Sequence, residues 1–133
     1  MLPPAHRLRR SSDFQMTVRR GVRAGSSTVV VHMLPASNET GSFGVPQIGF
    51  VVSKSVGNAV HRNKVKRRLR AAAAVELDAI PVGSTVVVRA LPGAAAAPYD
   101  ALRGDLHKTV GRVSARVAAS STGRPGDASA PVP

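Results

Sequence analysis

The sequence has no cysteine and no tryptophan, and only one tyrosine and three phenylalanines among 133 residues. Without thiols it can be neither a disulfide scaffold nor a Cys-based zinc module. Its four histidines, His6, His32, His61 and His107, are scattered without the close spacing of a metal site. So few rings argue against a single-strand binder built on many stacking platforms. Acids are scarce as well, 7 Asp+Glu against 19 Lys+Arg. No apolar run approaches the ~18 residues of a membrane span. The basic opening from Met1 to Arg10 leads into no apolar segment of the signal-peptide kind, so the expectation is a cytoplasmic protein without a membrane partner. What is present is chain enough for one domain with a modest core. Its formal charge of +12 points to a polyanionic partner.

The pattern along the chain predicts an α+β order of α-β-β-α-β-α. After a basic lead-in with Pro3 and Pro4, Ser12 is placed to cap a short helix, with Asp13 in its first turn. Phe14 and Val18 share one face of it, and Gly21 ends it. Residues 27–34 are rich in β-branched side chains and read as a strand, as do 47–53, with a polar loop over 36–46 between them. Asn58 is the expected N-cap of a long helix over 59–77. Residues 84–90 form a nearly all-apolar strand, which suits a central place in the sheet. A last helix is expected over 99–118, with Leu102, Leu106, Val110, Val113 and Val117 on one stripe. The domain is thus expected to span 1–118, followed by a disordered Ser/Gly/Pro/Ala-rich tail over 119–133.

The strongest local feature lies between Lys54 and Arg70, which hold 7 of the 19 bases. No acid occurs between Glu39 and Glu76. On a helical wheel His61, Val65, Leu69, Ala72 and Ala73 fall on one stripe, suited to docking on a sheet. Arg62, Lys66 and Arg70 run down one flank, Lys64 and Arg68 down the other, and Asn63 and Arg67 lie at the back. Like charges at i,i+4 cost a helix roughly 0.2–0.5 kcal/mol per pair. A surface made for solubility would mix signs. Phosphates seated between the bases would offset that cost and release counterions. The arc therefore reads as a nucleic-acid surface rather than a merely solvated face, and the bases alone do not separate RNA from DNA.

The run Asn58-Ala59-Val60-x-Arg62-Asn63-x-x-Lys66-Arg67-x-x-Arg70 resembles the Arg-Asn signature of the bacterial ribonuclease P protein subunit. Ser12-Asp13-Phe14 with Val18 and Gly21, the strand Ile48–Lys54, Val86–Arg89, and Tyr99 with Leu102 and Leu106 are similar to its other elements. The resemblance covers about residues 6–117. It implies a single two-layer α/β sandwich with a left-handed β-α-β crossover, an arrangement shared with a ribosomal protein domain. It implies an accessory protein that joins a large catalytic RNA, one protein per RNA. The pair removes the 5′ leader from precursor tRNA and leaves a 5′-phosphate. The hydrolysis then belongs to the RNA and its Mg²⁺, with no catalytic or metal-ligating residue in the protein.

By the same resemblance, Ser53, Lys54, Asn58, Arg62, Asn63, Lys66, Arg67 and Arg70 contact the catalytic RNA, with Lys64 and Arg68 extending the basic face. Phe14, Val18, His32, Phe50 and Arg89 are the expected leader contacts. From the residues alone, Phe14 suits a core position as well as a stacking platform. Phe50 shares a strand face with Ile48 and Val52, which is either core or cleft. His32 reads as a leader contact or as a plain exposed strand histidine, and His61 as a core-edge residue. The seven acids, among them Glu76 and Asp78 at an apparently solvated helix end, do not cluster as a metal-dependent nuclease requires. The competing reading is a structural RNA-binding or ribosomal protein without a nuclease role. A standalone nuclease and a DNA-binding protein fit less well.

Overall fold

The computed structural model describes residues 7–8, 11–35, 46–81 and 83–122, the side chains of 118–122 excepted. The order is α1 (Ser11–Arg20), β1 (Val22–Gly25), β2 (Val29–Leu34), β3 (Gln47–Val51), α2 (Ala59–Glu76), β4 (Thr85–Ala90) and α3 (Tyr99–Thr122). The predicted elements are all present, and β1 is an addition. Its four residues carry no period of their own. They become a strand by pairing with β2, Arg23 opposite His32 and Gly25 opposite Val30. Ser12 lies inside the first turn of α1 instead of capping it. Helix α3 runs to Thr122, past the expected domain end at 118. Most of the 36–46 loop and residues 123–133 lie outside the described residues.

The four strands form one mixed sheet in the order β1-β2-β4-β3. β4 is central, as its apolar run predicted. It pairs antiparallel with β2 and parallel with β3. A parallel pair needs a crossover, and α2 supplies it.

Alternation sorts the strand side chains onto two faces. Val29, Val31, Met33, Ile48, Val86, Val88 and Ala90 are buried with Val65, Leu69, Ala72 and Ala73 of α2 and with the predicted α3 stripe from Leu102 to Val117. Each fully buried aliphatic side chain contributes about 1.5–3 kcal/mol against exposure. Gly104 and Gly111 do not interrupt α3, and the space beside each is open. The opposite face carries Arg23, Val30, His32, Val87, Gly49, Arg89 and Val51, and α1 covers only part of it. Thr17 of α1 is fully buried and satisfies its hydroxyl by donating to the Asp13 carbonyl at 2.8 Å.

Two more expectations change here. Glu76 is buried, not solvated, and accepts from His107 Nδ1 of α3 at 3.0 Å. His61 is exposed, because it lies in the first turn of α2. The packed stripe begins one turn later, at Val65.

Candidate nucleic-acid interface

Helix α2 begins where Asn58 accepts a hydrogen bond from the His61 amide at 3.0 Å. That is the predicted cap, and it ties Asn58 to helix initiation. Just before it, a 3₁₀ turn over Lys54–Val56 presents Lys54 and Ser55 to solvent. The hydroxyls of Ser53 and Ser55 lie 2.7 Å apart. Along α2, Asn63, Lys64 and Arg67 are exposed, while Arg62, Lys66, Arg68 and Arg70 are half-buried. Arg68 donates to the Ala97 carbonyl at 3.3 Å, so part of its role is to hold α2 to the loop before α3. Arg62 Nε is buried with no hydrogen-bond partner. A buried donor left unmade costs about 1–3 kcal/mol.

On the partly covered face of the sheet, the Phe14 ring of α1 stands over Gly49. A Cβ at position 49 would fall 2.2 Å from the tip of that ring. Beside it runs a groove of about 420 Å³, whose lining includes Arg7, Phe14, Gly49, Lys66 and Arg70. In sequence Phe14 lies 52 residues before Lys66 and 56 before Arg70; the fold puts them in one groove. Arg7 and Leu8 were missed as part of it. Leu8 donates to the Ile48 carbonyl at 2.9 Å, and Arg7 and Leu8 lie along the edge of β3. Only Leu8 itself, one apolar residue among bases, hinted at such docking.

Arg89 is the one exposed residue of β4. It lies between Val30 and Val51 in register, both on the same uncovered stretch of sheet. Val18, on α1, is 37% exposed, as is Val51. Phe14, Val18 and Arg89 thus belong to the α1 side of the sheet. Phe50 does not: its ring packs partly against the core on the other face, although the residue also borders the groove at the β3 edge.

His32 is on the α1 side too, yet it is 2% exposed, with both ring nitrogens unpartnered. It is neither an exposed strand histidine nor open to a base. Alternation along β2 puts it on this face, and its burial there comes from tertiary packing that the strand's own sequence does not specify. Burial, and then the Arg89 and Arg23 guanidiniums, hold its pKa below the ordinary 6.5. The unfolded chain then takes up a proton near pH 6.5 that the folded chain refuses. Stability from this group is full above that pH and falls as the pH drops toward the lowered folded value. Asp105 acts in a separate, more acid window. The Thr28 hydroxyl donates to it at 2.6 Å and is the main cause of a pKa below the ordinary 3.8. Urea midpoints measured between pH 7.5 and pH 5 are expected to fall for the natural chain and to change much less for His32→Leu. An equal fall in both would exclude His32 as the source.

Among the described residues no three His, Asp or Glu side chains gather into a set able to hold a metal ion, and no helix is long and apolar enough to cross a membrane. The ribonuclease P family model matches residues 2–114. The ribonuclease P protein component of Rhodococcus jostii is 54% identical over 99 residues, 73% of this chain and 79% of that one. Its counterpart from Kocuria rhizophila is 49% identical over 119 residues, covering 89% of this chain and all of the other. Among solved structures, the RNase P protein of Staphylococcus aureus is 26% identical, with a TM-score of 0.67 over 79% of this chain and 92% of that one. The RNase P protein from Thermotoga maritima, 24% identical, shares the fold with a TM-score of 0.69 over 80% and 96% of the two chains.

Proposed function

This chain belongs to the ribonuclease P protein family, the protein component of the tRNA 5′-processing enzyme, and on that footing we propose how its two surfaces divide the work. The arc of α2, with Arg62, Asn63, Lys66, Arg67 and Arg70 and the approach through Ser53 and Lys54, binds the catalytic RNA. Lys64 widens that surface. Asn58 and Arg68 serve it by fixing the start and the seat of the helix. The uncovered sheet face beside α1 takes the single-stranded 5′ leader of precursor tRNA, one protein acting with each RNA.

The observation that carries this reading is the shared groove. The tip of the Phe14 ring abuts Gly49, and the residue is only half-buried. A leader base can stack on the part of the ring left open. Lys66 and Arg70 line the same groove, so phosphates on either side of that base meet cations. Val18 and Arg89 extend the contact along the cleft. His32 supports the cleft floor from beneath α1 and makes no direct leader contact. Phe50 steadies β3 from the core side. Among the described residues no three His, Asp or Glu side chains gather into a set able to hold a metal ion. Membership of the family supports assigning the hydrolytic step to the RNA partner, which would also hold the Mg²⁺.

The direct test is cleavage of 5′-labelled precursor tRNA at low Mg²⁺ by protein alone, catalytic RNA alone and both together. Correct cleavage rescued only in the mixture is the expected result. Within that assay Phe14→Ala isolates the stacking contact. Base–aromatic stacking is worth about 1–3 kcal/mol per base, so affinity for a leader-bearing substrate should fall about tenfold or more while mature tRNA is little affected. Equal losses for both, with the fold intact, would assign Phe14 to packing alone.

A further inference from the structure

One row of residues crosses the whole uncovered face. Val51 of β3 lies opposite Arg89 of β4, Arg89 opposite Val30 of β2, and Val30 opposite Gly25 of β1. Three strand spacings make this row about 14 Å long. It starts at the β3 edge, close to the groove, and ends at β1, the opposite edge of the sheet. Gly25 has no side chain to block that end.

The free edge of β1 is occupied by arginines from the other layer. Arg112 of α3 donates to the Gly25 carbonyl at 3.4 Å, and Arg116 donates to the Arg23 carbonyl. Both arginines are exposed, as is Arg23. A guanidinium has five N–H donors, so one bond to a carbonyl fixes its position and leaves most donors outward. Sequence adds the sign: no acid occurs from Phe14 to Asn38, or from Leu106 to Gly126, and the nearby Asp105 is engaged by the Ser27 and Thr28 hydroxyls at 3.2 and 2.6 Å. An edge strand needs some guard against pairing with another chain, and two arginines provide it. Guarding alone does not call for a place at the end of an exposed row.

We propose that Arg112 and Arg116 form a second phosphate-binding station, which holds the single-stranded RNA after it has crossed the sheet. The proposal rests on the leader reading given above and extends it to a longer segment. The leader enters at the Phe14 groove, crosses along Val51, Arg89 and Val30, and leaves over Gly25 between the arginines of α3 and Arg23.

The test uses the full chain assembled with its catalytic RNA and precursor tRNAs with no leader, a leader of about four nucleotides or one of about ten, a range typical of single-strand sites. Affinity is measured across a salt series. For the natural protein, the short leader should bind more tightly than none, and the long leader more tightly still, with a steeper salt dependence. In Arg112→Gln/Arg116→Gln the extra gain from the long leader should disappear. Its salt slope should fall by about 1.4, at about 0.7 per phosphate for a single strand, with the short leader unchanged. Arg112→Lys/Arg116→Lys should recover most of the slope. A double Gln variant that keeps the full gain overturns the proposal. Equal weakening with both leaders overturns it too and leaves the arginines as edge guards. No advantage of any leader over none in the natural protein would instead remove the leader reading, and this extension with it.

Discussion

Gly21→Ala is expected to destabilise the protein by about 3 kcal/mol, the upper end of what overpacking a tight interior costs. A Cβ at this position would lie 2.5 Å from the Thr17 carbonyl oxygen and 2.6 Å from that of Met33. Both are backbone atoms, one in α1 and one in β2, and neither can turn aside as a side chain could. Relief requires moving the helix off the strand. The reason for glycine here is close approach: the chain leaves α1, donates from the Gly21 amide to Thr17 at 2.9 Å, and enters β1 against β2. Gly25→Ala is the matched control. Its methyl would stand 3.6 Å from Val30 Cγ2, an ordinary contact. Urea denaturation of the two variants should give a large drop in midpoint for position 21 and little change for position 25. Similar midpoints would mean that α1 is not seated as described.

Arg62→Ala with Arg67→Ala carries the largest expected functional effect, a loss of about 100-fold in affinity for the catalytic RNA. Hydrogen bonds to charged groups are worth about 1.5–3 kcal/mol each, and two such contacts account for that loss. Folding should respond with the opposite sign. Arg62 stands one turn before Lys66, and removing this like-charge pair relieves roughly 0.2–0.5 kcal/mol of repulsion. Removing Arg62 also eliminates its buried, unpartnered Nε. The variant should therefore melt at the same temperature or slightly higher while assembling poorly. Unchanged assembly at moderate salt would take these arginines out of the interface.

The features legible in the sequence are those fixed locally. The Asn58 cap depends on a residue three positions away, and the basic arc follows from helical period alone. The α3 stripe and the central place of β4 were legible for the same reason. What escaped depends on a partner distant in sequence. Val22–Gly25 is a strand only because β2 lies alongside. Glu76 reads as a solvated turn until α3 brings His107 against it. His32 sits in a strand whose two faces differ, and only the position of α1 decides that its face is closed above it. His61 shows the converse: the wheel placed it on the buried stripe, but the helix starts before the packed layer does.

The topology also sets when the protein can fold. Both β2 and β3 reach the rest of the sheet through β4, which begins at Thr85. Until that strand leaves the ribosome, the four strands can form only the small β1–β2 hairpin, with residues 7 and 8 bridged to β3, and two-stranded units are marginal in water. The cationic α2 is synthesised before β4, so its apolar stripe must wait for most of the sheet. Assembly of this domain is in that sense delayed until its fourth strand has been made, and a chain arrested before Ala90 would expose a charged helix and two unsatisfied strands together.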